Sequence, residues 1–503
     1  LGRDFFPKVD AGQIRLHFRA RTGLRIEETA RLADQVDGVI RQTIPKAELE
    51  TVLDNIGLPY SGINLTYSNA GTFGTSDAEI LVQLKGERDK PTGEYINELR
   101  RRLPQDFPGV QFFFQPADIV TQILNFGSPA PIDVQVTGNN QQGNYKIAEK
   151  LANELRHIPG AADVHVQQAF DQPTLHMEID RTRVQALGLQ AKDVAQNLLV
   201  SLSSSFQTAP TFWLDPKNGV SYSVAVQTPQ YRLDTYQSLQ NTPVTGSGPN
   251  LRPQILANLV TTSTTARPAV ISHYNAQPMI NVYSSVDGRD LGGVADEVAL
   301  QVKNIEKELP KGSHIITRGQ VQTMKTSFTG LAFGLLGAIV LAYLLIVVNF
   351  QSWLDPFIII TALPGALAGI CWMLLITHTT LSVPSLTGAI MCMGVATANS
   401  ILMVSFAREQ MDEGKSPLDA AVEAGFVRMR PVIMTALAMI IGMVPMAIGL
   451  GEGGEQNAPL GRAVIGGLLF ATFATLFFVP CVFSMIHGWL EKRKSHGRRE
   501  AIA

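Results

Sequence analysis

Five long stretches without Asp, Glu, Lys or Arg dominate the carboxy-terminal part of the chain. A helix needs about 20 apolar residues to cross the hydrocarbon core of a bilayer. A soluble protein rarely repeats such a stretch five times, so the sequence predicts a multi-pass membrane protein rather than buried core helices. The predicted spans are 328–348, 357–377, 383–407, 431–450 and 463–486.

Lysine and arginine in the connecting loops predict the orientation of these spans, because basic loops stay in the cytoplasm. The tail 489–503 contains "EKRKSHGRRE", whereas the loops "HTTLS" and "GEGGEQNAPLG" have no basic residue. The loop between the third and fourth predicted spans holds Arg408, Lys415, Arg428 and Arg430. The tail is therefore predicted to be cytoplasmic and residues 1–325 to lie on the opposite side. Residues 1–325 show no export signal of their own, so we expect a further span upstream in a longer protein.

The outer region begins with strand and helix patterns in a fixed order. In "GQIRLHFRA", Ile14, Leu16 and Phe18 alternate with polar residues, which is typical of a strand. A helical pattern follows, then the strands "GINLTYS" and "AEILVQL", the helix "GEYINELRRRL" and the strand "VQFFFQP". This order predicts a ferredoxin-like split βαβ unit over residues 1–120.

A second split βαβ unit is predicted from residue 121 onward, interrupted by an insertion. Its first part (121–181) holds the strands "APIDVQVTG", "ADVHVQQ" and "PTLHMEID". Its remainder (274–325) holds "MINVYSSV", a helix at 294–309 and "HIITRG". Residues 182–273 form the predicted insertion. The fold class is therefore an α+β membrane protein, with two split βαβ subdomains followed by a transmembrane bundle at 326–488.

Motifs for hydrolysis or cofactor binding do not occur in the sequence. "GEGGEQ" is glycine-rich but lacks the lysine of a nucleotide-binding loop, and there is no GxSxG or HExxH. His157 and His165 are isolated and are interpreted as surface or core residues, and the net charge of −2 does not suggest nucleic acid. We therefore predict no enzyme activity, no cofactor and no resident metal.

Cysteine and methionine side chains are possible ligands for soft metal ions such as Cu(I). The three cysteines all lie in the apolar part of the chain. Methionines of the spans are interpreted as packing residues. In the outer region Met177, Met279 and Met324 lie far apart in sequence, which disfavours copper or silver as a substrate.

Several segments resemble the carboxy-terminal half of resistance–nodulation–division (RND) efflux transporters of the AcrB-like multidrug type. They occur in the same order as in those transporters. The segments are "LGRDFFPKVDAG", "NFQSWLDPFIIITALPGALAG", "GVATANSILMVSFA", "VRMRPVIMTALAMIIGMVPMAIG" and "FFVPCVFS". The resemblance covers essentially the whole chain. It implies two periplasmic porter subdomains, an inserted docking subdomain and a place in the inner membrane.

The resemblance also implies partners and a substrate class. The expected partners are the amino-terminal half of the same transporter, a periplasmic adaptor and an outer-membrane channel, in a homotrimer. The expected substrates are hydrophobic or amphiphilic compounds exported by proton antiport. The loop "TYSNAGTFGTSD", with Tyr67 and Phe73, resembles a loop near the substrate path, with a plain hairpin loop as the alternative.

A proton-relay face is implied in the third and fourth spans. The family's paired carboxylates lie in the amino-terminal half, and the predicted spans contain no acid. By resemblance Asn399, Ser400 and Thr435 line the surface facing those acids, and Arg430 marks the cytoplasmic end of the fourth span. Ala398 stands where multidrug relatives have a lysine, which puts their ion-pair switch in doubt here. The alternatives are hydrogen bonding between helices, and a positive-inside anchor for Arg430.

Two other functions stay open at this point. The same fold could export metal cations, lipids or a signalling oligosaccharide. A non-transporting membrane scaffold that holds adaptor proteins belongs to a different functional class.

Overall fold

A computed structural model describes the chain over residues 1–58, 72, 74–125, 127–246, 252–451 and 453–500, without the side chains of 207 and 494–500. The chain divides into two compact units. One unit comprises Leu1–Ala169 and Val270–Ala503, and the other comprises Phe170–Ala269.

The first sheet is antiparallel and has the strand order of a split βαβ unit. In spatial order its strands are Leu49–Ile56, Asp77–Leu84, Gln13–Arg19 and Gln111–Gln115. Helices Ile26–Thr43 and Thr92–Asp106 cover one face. Ile14, Leu16 and Phe18 are buried under these helices, as their alternation predicts.

One strand of this sheet was not predicted. The second strand is Leu49–Ile56, whereas the predicted "GINLTYS" lies outside the described residues. In "LETVLDNI" the apolar residues Leu49, Val52, Leu53 and Ile56 have helix-like spacing. Period-two alternation is the main sequence signal of a half-buried strand, so this one could not be found by that signal.

The second sheet combines strands from both sides of the insertion. Ile132–Thr137 pairs with Gln277–Val286 and with His314–Gly319. Ala161–Val166 and Ser272–Tyr274 both pair with Gln277–Val286. Helices Gln141–Arg156 and Leu291–Ile305 accompany the sheet and bury apolar side chains. Strands from before and after residues 170–269 therefore lie in one sheet.

The inserted unit, Phe170–Ala269, starts earlier than the predicted boundary at residue 182. Strand Gln172–Ile179, which the sequence analysis assigned to the second split unit, pairs instead with Val260–Arg267. Alternation identifies a strand but not its partner, which explains this error. The unit's own core contains Val184, Leu189, Val194, Leu239, Val244, Leu256 and Leu259.

The remaining helices and strands of the inserted unit are short. The helices are Arg181–Ala186, Ala191–Ser203 and Tyr236–Gln240. The strands are Thr211–Leu214 with Ser221–Val224, and Pro243–Val244 with Gln254–Ile255.

Within the described residues, five helical segments are long and apolar enough to cross a membrane, which confirms the predicted number. We call them the first to fifth spans. They are Gln320–Phe350, Leu354–Ile376, Val383–Asp412, Pro417–Ile448 and Ala458–Arg493.

Two of these spans depart from a regular helix. The second span consists of helices Leu354–Ile360 and Leu363–Ile376, with Pro364 at the start of the latter. The fifth span contains a π-helical turn, Ala474–Phe478. The two irregularities lie beside each other, since a Cβ added to Gly365 would lie 3.0 Å from the Ala474 Cβ.

Glycine permits the tightest helix contact in the bundle. A Cβ added to Gly369 of the second span would lie 2.4 Å from the carbonyl oxygen of Gly466 in the fifth span. A Cβ on Gly466 would lie 2.2 Å from the Met373 side chain. Small residues let helices approach closely where lipid supplies no hydrophobic driving force.

Candidate functional site

A polar layer lies between the first and second sheets. Arg15, His17 and Arg19 alternate with the core residues of the first strand and lie on its other face. They are also buried, with His17 at 0% exposure. The second sheet covers this face, so a strand whose pattern suggests one buried face has two.

Two histidines and a phenylalanine join the sheets through this layer. Phe113 of the first sheet stacks on His17 at 4.4 Å and on His165 of the second sheet at 3.7 Å between ring centroids. The Nδ1 of His165 hydrogen-bonds the Asp163 carbonyl oxygen at 2.7 Å. In the described part of the chain, Nδ1 of His17 has no hydrogen-bond partner.

Asp77 provides the carboxylate on the first-sheet side. It accepts hydrogen bonds from Arg19 Nε at 3.1 Å and, at a long 3.4 Å, from His17 Nε2. Arg19 also donates to the carbonyl oxygens of Val166 and Gln167 at 3.1 and 2.9 Å, which ties the two sheets together. A buried charge needs such partners, because its desolvation otherwise costs several kcal/mol, on the order of 5 or more.

Asp133 provides a second carboxylate, on the second-sheet side. Tyr283 lies opposite both Asp133 and His165 in the strand pairing, so the three share one face. Asn281 and Gln135 donate to Asp133 at 2.9 and 2.7 Å. Burial raises the pKa of Asp133 above its usual range.

Burial keeps both histidines neutral. It lowers the pKa of His17, and it lowers that of His165 to about 3. A neutral imidazole has a lone pair for a metal ion, and carboxylate oxygen is the other donor available here. We use "polar layer" below for His17, Arg19, Asp77, Asp133 and His165.

The polar layer contains side chains that can ligate a metal ion, but they are not arranged around a common position. Over the described residues, no group of three or more His, Cys, Asp or Glu is placed to hold one ion. Phe113 lies between the imidazoles and keeps them apart. From the sequence His165 was interpreted as a surface or core residue and His17 was not singled out, because neither histidine has another metal-ligating residue at a typical ligand spacing.

In the membrane bundle, two of the predicted relay residues lie together. Asn399 is nearly buried, and Thr435 donates to its Oδ1 at 3.5 Å and to the Val432 carbonyl oxygen at 2.9 Å. Ser400 contacts a different neighbour, because its hydroxyl lies 3.1 Å from that of Thr475 in the fifth span. We call Asn399 and Thr435 the bundle pair.

The other predicted site residues are not part of this arrangement. Arg430 and Ala398 are exposed. Tyr67 and Phe73 lie outside the described residues, so their proposed place near a substrate path stays a prediction.

Asp355 is a buried acid that the sequence analysis missed. It accepts from Arg408 Nη1 at 2.8 Å and from His487 Nε2 at 3.0 Å. The same Arg408 nitrogen donates to the Phe350 carbonyl oxygen at 2.9 Å. This clasp joins the ends of the first, second, third and fifth spans. The second span was predicted to start at residue 357, which left Asp355 outside; its place between leucine and proline in "WLDPF" was the available signal.

Comparison with known proteins identifies the family. The profile of the AcrB/AcrD/AcrF family matches residues 1–487. The cobalt-zinc-cadmium resistance protein CzcA of Cupriavidus metallidurans is 28% identical over 496 residues, which cover 97% of this chain and 45% of that protein. The nickel and cobalt resistance protein CnrA of the same species is 29% identical over 518 residues, covering 100% of this chain and 46% of that protein.

A solved structure of a heavy metal efflux pump has the same fold. It superimposes with a TM-score of 0.81 at 25% identity, covering 97% of this chain and 49% of the pump chain. The chain thus spans about half the length of the relatives it matches.

These relatives correct one expectation. The predicted multidrug specificity is not supported, and the metal-cation alternative fits the relatives better. Family members are transporters rather than hydrolases. With a profile match over residues 1–487 and five candidate spans in the described residues, the chain belongs to the AcrB/AcrD/AcrF family of RND transporters.

Proposed function

We propose that this chain is one half of an inner-membrane, proton-driven RND pump that exports divalent transition-metal cations of the zinc, cobalt, nickel and cadmium group. The observation that carries the proposal is the polar layer, which places two neutral imidazoles and two carboxylates between the sheets. The names of the relatives point to the same ions.

The chemistry of the donors favours these ions over copper or silver. Imidazole and carboxylate suit borderline divalent ions, whereas Cu(I) prefers thiolate and thioether sulfur. The named polar-layer residues include no cysteine or methionine. Met177 and Met279 lie in different units of the chain, and Met324 lies on the first span.

Separation of the two sheets would assemble the metal site. The imidazoles of His17 and His165 are held on opposite faces of Phe113, so they reach one ion only when the stack opens. Opening also breaks the bonds from Arg19 to the carbonyl oxygens of Val166 and Gln167. Closure would reinsert Phe113 and displace the ion. The layer thus alternates between a stacked, ion-free form and an open, ion-binding form.

Proton coupling would use the bundle pair together with acids of the other half of the pump. Ionisable groups are required for a proton path through a membrane, and Asn399 and Thr435 can only hydrogen-bond. Much of the fourth span around Thr435 is exposed, which leaves a surface for titrating partners. Ser400, bonded to Thr475, is assigned to packing instead, and Arg430 to the cytoplasmic end of the fourth span.

The whole assembly is proposed by analogy with the family. The outer region of the chain would lie in the periplasm, with the basic tail in the cytoplasm. Residues 170–269 would dock to an outer-membrane channel, and a periplasmic adaptor and two further copies would complete a trimeric pump.

The test uses the complete gene in a strain that lacks its own metal exporters. We expect increased tolerance to zinc, cobalt, nickel or cadmium and unchanged tolerance to dyes and detergents. His17→Ala and His165→Ala should each reduce metal tolerance, because each removes a donor. His157→Ala is the matched control, since His157 is exposed and its Nδ1 bonds only the Asn153 carbonyl oxygen of its own helix.

Two results would contradict the proposal. Tolerance to dyes or detergents without tolerance to metals would favour the multidrug hypothesis instead. Metal tolerance that survives both histidine substitutions would exclude the polar layer as the site.

A further inference from the structure

Residues 2–5 lie as a short strap between the membrane bundle and the second sheet. On one side they contact the loop at 377–383, which joins the second and third spans. On the other side they contact the start of helix Leu291–Ile305, which accompanies the second sheet. We call this segment the strap.

Backbone bonds fix the strap to the loop. The Asp4 amide donates to the Leu381 carbonyl oxygen at 2.9 Å, and the Leu381 amide donates to the Gly2 carbonyl oxygen at 2.8 Å. Val383, the first residue of the third span, donates to the Phe5 carbonyl oxygen at 3.2 Å. The strap and loop therefore form a small parallel bridge, centred on Arg3 and Leu381.

A second set of bonds fixes the strap to the helix. The Arg3 amide donates to Asp290 Oδ2 at 2.9 Å, and the Arg3 carbonyl oxygen accepts from the Gly292 amide at 2.7 Å. Asp4 Oδ1 accepts from the Leu291 amide at 2.7 Å. These bonds satisfy amide groups at the helix start, which have no partner within the helix. The Arg3 side chain adds an ion pair with Asp296.

Close packing shows that the strap fits against the helix without spare room. A Cβ added to Gly292 would lie 2.8 Å from the Arg3 Cβ and 3.0 Å from the Arg3 carbonyl oxygen. A Cβ on Gly2 would lie 2.9 Å from Asp290 Cβ. Any side chain at residue 292 must therefore push the strap away.

The loop continues the connection into the bundle. Arg462 of the fifth span donates to the Thr379 hydroxyl at 2.7 Å and to the Ala447 carbonyl oxygen at 2.9 Å. Ala447 lies near the end of the fourth span, which also carries Thr435. Hydrogen bonds, joined by short backbone segments, therefore connect the fourth span to Arg462, Arg462 to the loop, and the loop to the strap. The strap is bonded in turn to the start of helix Leu291–Ile305, which accompanies the second sheet.

We propose that the strap is a positioning element that couples movement of the membrane spans to opening of the polar layer. This inference rests on the proposed function, because the coupled movement is what would link proton flow to metal export. Displacement of the loop by the spans would pull on helix Leu291–Ile305 through hydrogen bonds on both sides of the strap. The second sheet would then separate from the first.

Gly292→Ala tests the strap, and Gly93→Ala is its matched control. Each glycine is the second residue of its helix, and alanine is the better helix former at both positions. A Cβ on Gly93 meets nothing within 4 Å. In the full-length pump, reconstituted in vesicles with a proton gradient, Gly292→Ala should lower the maximal rate of zinc transport about fivefold or more. The KM for zinc should stay unchanged, and Gly93→Ala should resemble the wild type in both rate and KM.

A second measurement does not depend on metal transport. Thr379→Val removes the hydroxyl that Arg462 contacts and so perturbs only the bundle side of the connection. In the full-length protein, we expect this change to accelerate hydrogen–deuterium exchange in helix Leu291–Ile305, and to have no such effect in the Gly292→Ala background. Equal acceleration in both backgrounds, or none in either, would overturn the coupling role.

The two measurements separate failure of the strap from failure of the proposed function. Absence of zinc transport by the wild type, together with strap-dependent exchange, would reject the metal substrate and keep the coupling. Zinc transport that Gly292→Ala does not slow would reject the coupling and keep the substrate.

Discussion

The polar layer and the bundle pair are both polar groups placed where apolar ones are the norm, but they differ in how far this chain completes them. In the polar layer, Arg19 bonds Asp77 of its own sheet at 3.1 Å and, across the interface, the carbonyl oxygens of Val166 and Gln167 at 3.1 and 2.9 Å. In the bundle, Thr435 reaches Asn399 only at 3.5 Å, on a span that is mostly exposed. The polar layer is therefore a closed interface within the chain, whereas the bundle pair lies on an open surface.

The difference has a physical cause. A buried charge between two sheets is stable only when its partners are supplied locally, because desolvation is costly. A neutral amide and hydroxyl on a span can be satisfied weakly by their own helix, as Thr435 is by Val432. The sheets therefore need a complete network to fold, whereas the span can fold before its functional partners arrive.

The largest expected effect comes from breaking the polar layer at Asp77. Asp77→Ala leaves Arg19 with its charge buried and one partner fewer, so we expect a loss of about 3–5 kcal/mol in unfolding free energy. Chemical unfolding of the purified full-length protein measures it. Glu94→Ala, an exposed acid on a helix of the same sheet, should change little. A loss below about 1 kcal/mol would show that the layer is not a closed network.

The membrane side has a closed network of its own in the Asp355 clasp. Asp355→Ala removes hydrogen bonds from Arg408 and His487, and hydrogen bonds to charged groups contribute about 1.5–3 kcal/mol. Because Arg408 is 40% exposed, we expect about 1.5–2 kcal/mol, the lower part of that range. The thermal midpoint in detergent should fall, while Glu409→Ala, an exposed acid beside Arg408, should leave it unchanged. Equal midpoints for both variants would contradict the clasp.

Acid should weaken the polar layer but not the bundle pair. His165 has a pKa of about 3 in the folded chain against an ordinary value of 6.5, so the folded state binds fewer protons than the unfolded state. The contribution of His165 to stability is therefore complete only well above pH 6.5. It falls as the pH drops from 6.5 toward 3, and the slope approaches about 1.4 kcal/mol per pH unit once the unfolded imidazole is fully protonated.

His165→Gln isolates this contribution, because glutamine keeps a polar side chain that does not titrate. Between pH 6.5 and 5.5 the variant should lose less stability than the wild type, by about 1 kcal/mol, because the unfolded imidazole is already half protonated at pH 6.5. Thermal midpoints at several pH values measure the difference. Parallel curves for variant and wild type would show that His165 is not held neutral.

The smallest stability effect is expected at the bundle pair. Thr435→Val should cost about 1 kcal/mol or less, since it removes one long hydrogen bond and one bond to its own helix. Proton-driven transport by the full-length pump should nevertheless fall at least about tenfold, equivalent to 1.4 kcal/mol in the barrier. Thr397→Val is the control, because the Thr397 hydroxyl bonds the Met393 carbonyl oxygen of its own helix. Normal transport by Thr435→Val would assign the pair to packing.

Helices and strands with a strong local sequence pattern were predicted correctly. The five spans follow from length and apolarity, and the strand Gln13–Arg19 follows from alternation. The strand Leu49–Ile56 was missed because its apolar residues do not alternate. The strand Gln172–Ile179 was assigned to the wrong sheet because an alternating pattern does not show which strand it pairs with. Asp355 was missed because the start of the second span was predicted three residues too late.

Local sequence was enough to identify the candidate membrane spans, from the length of their apolar runs, and the core-facing side of the strand Gln13–Arg19, from its alternation. It was not enough to show that the polar face of Gln13–Arg19 is also buried, since the covering strand Ala161–Val166 lies more than a hundred residues later. The same holds for the strap, whose partners at Leu291 and Leu381 come from distant parts of the chain. Burial and pairing across such distances arise from packing, which no local pattern encodes.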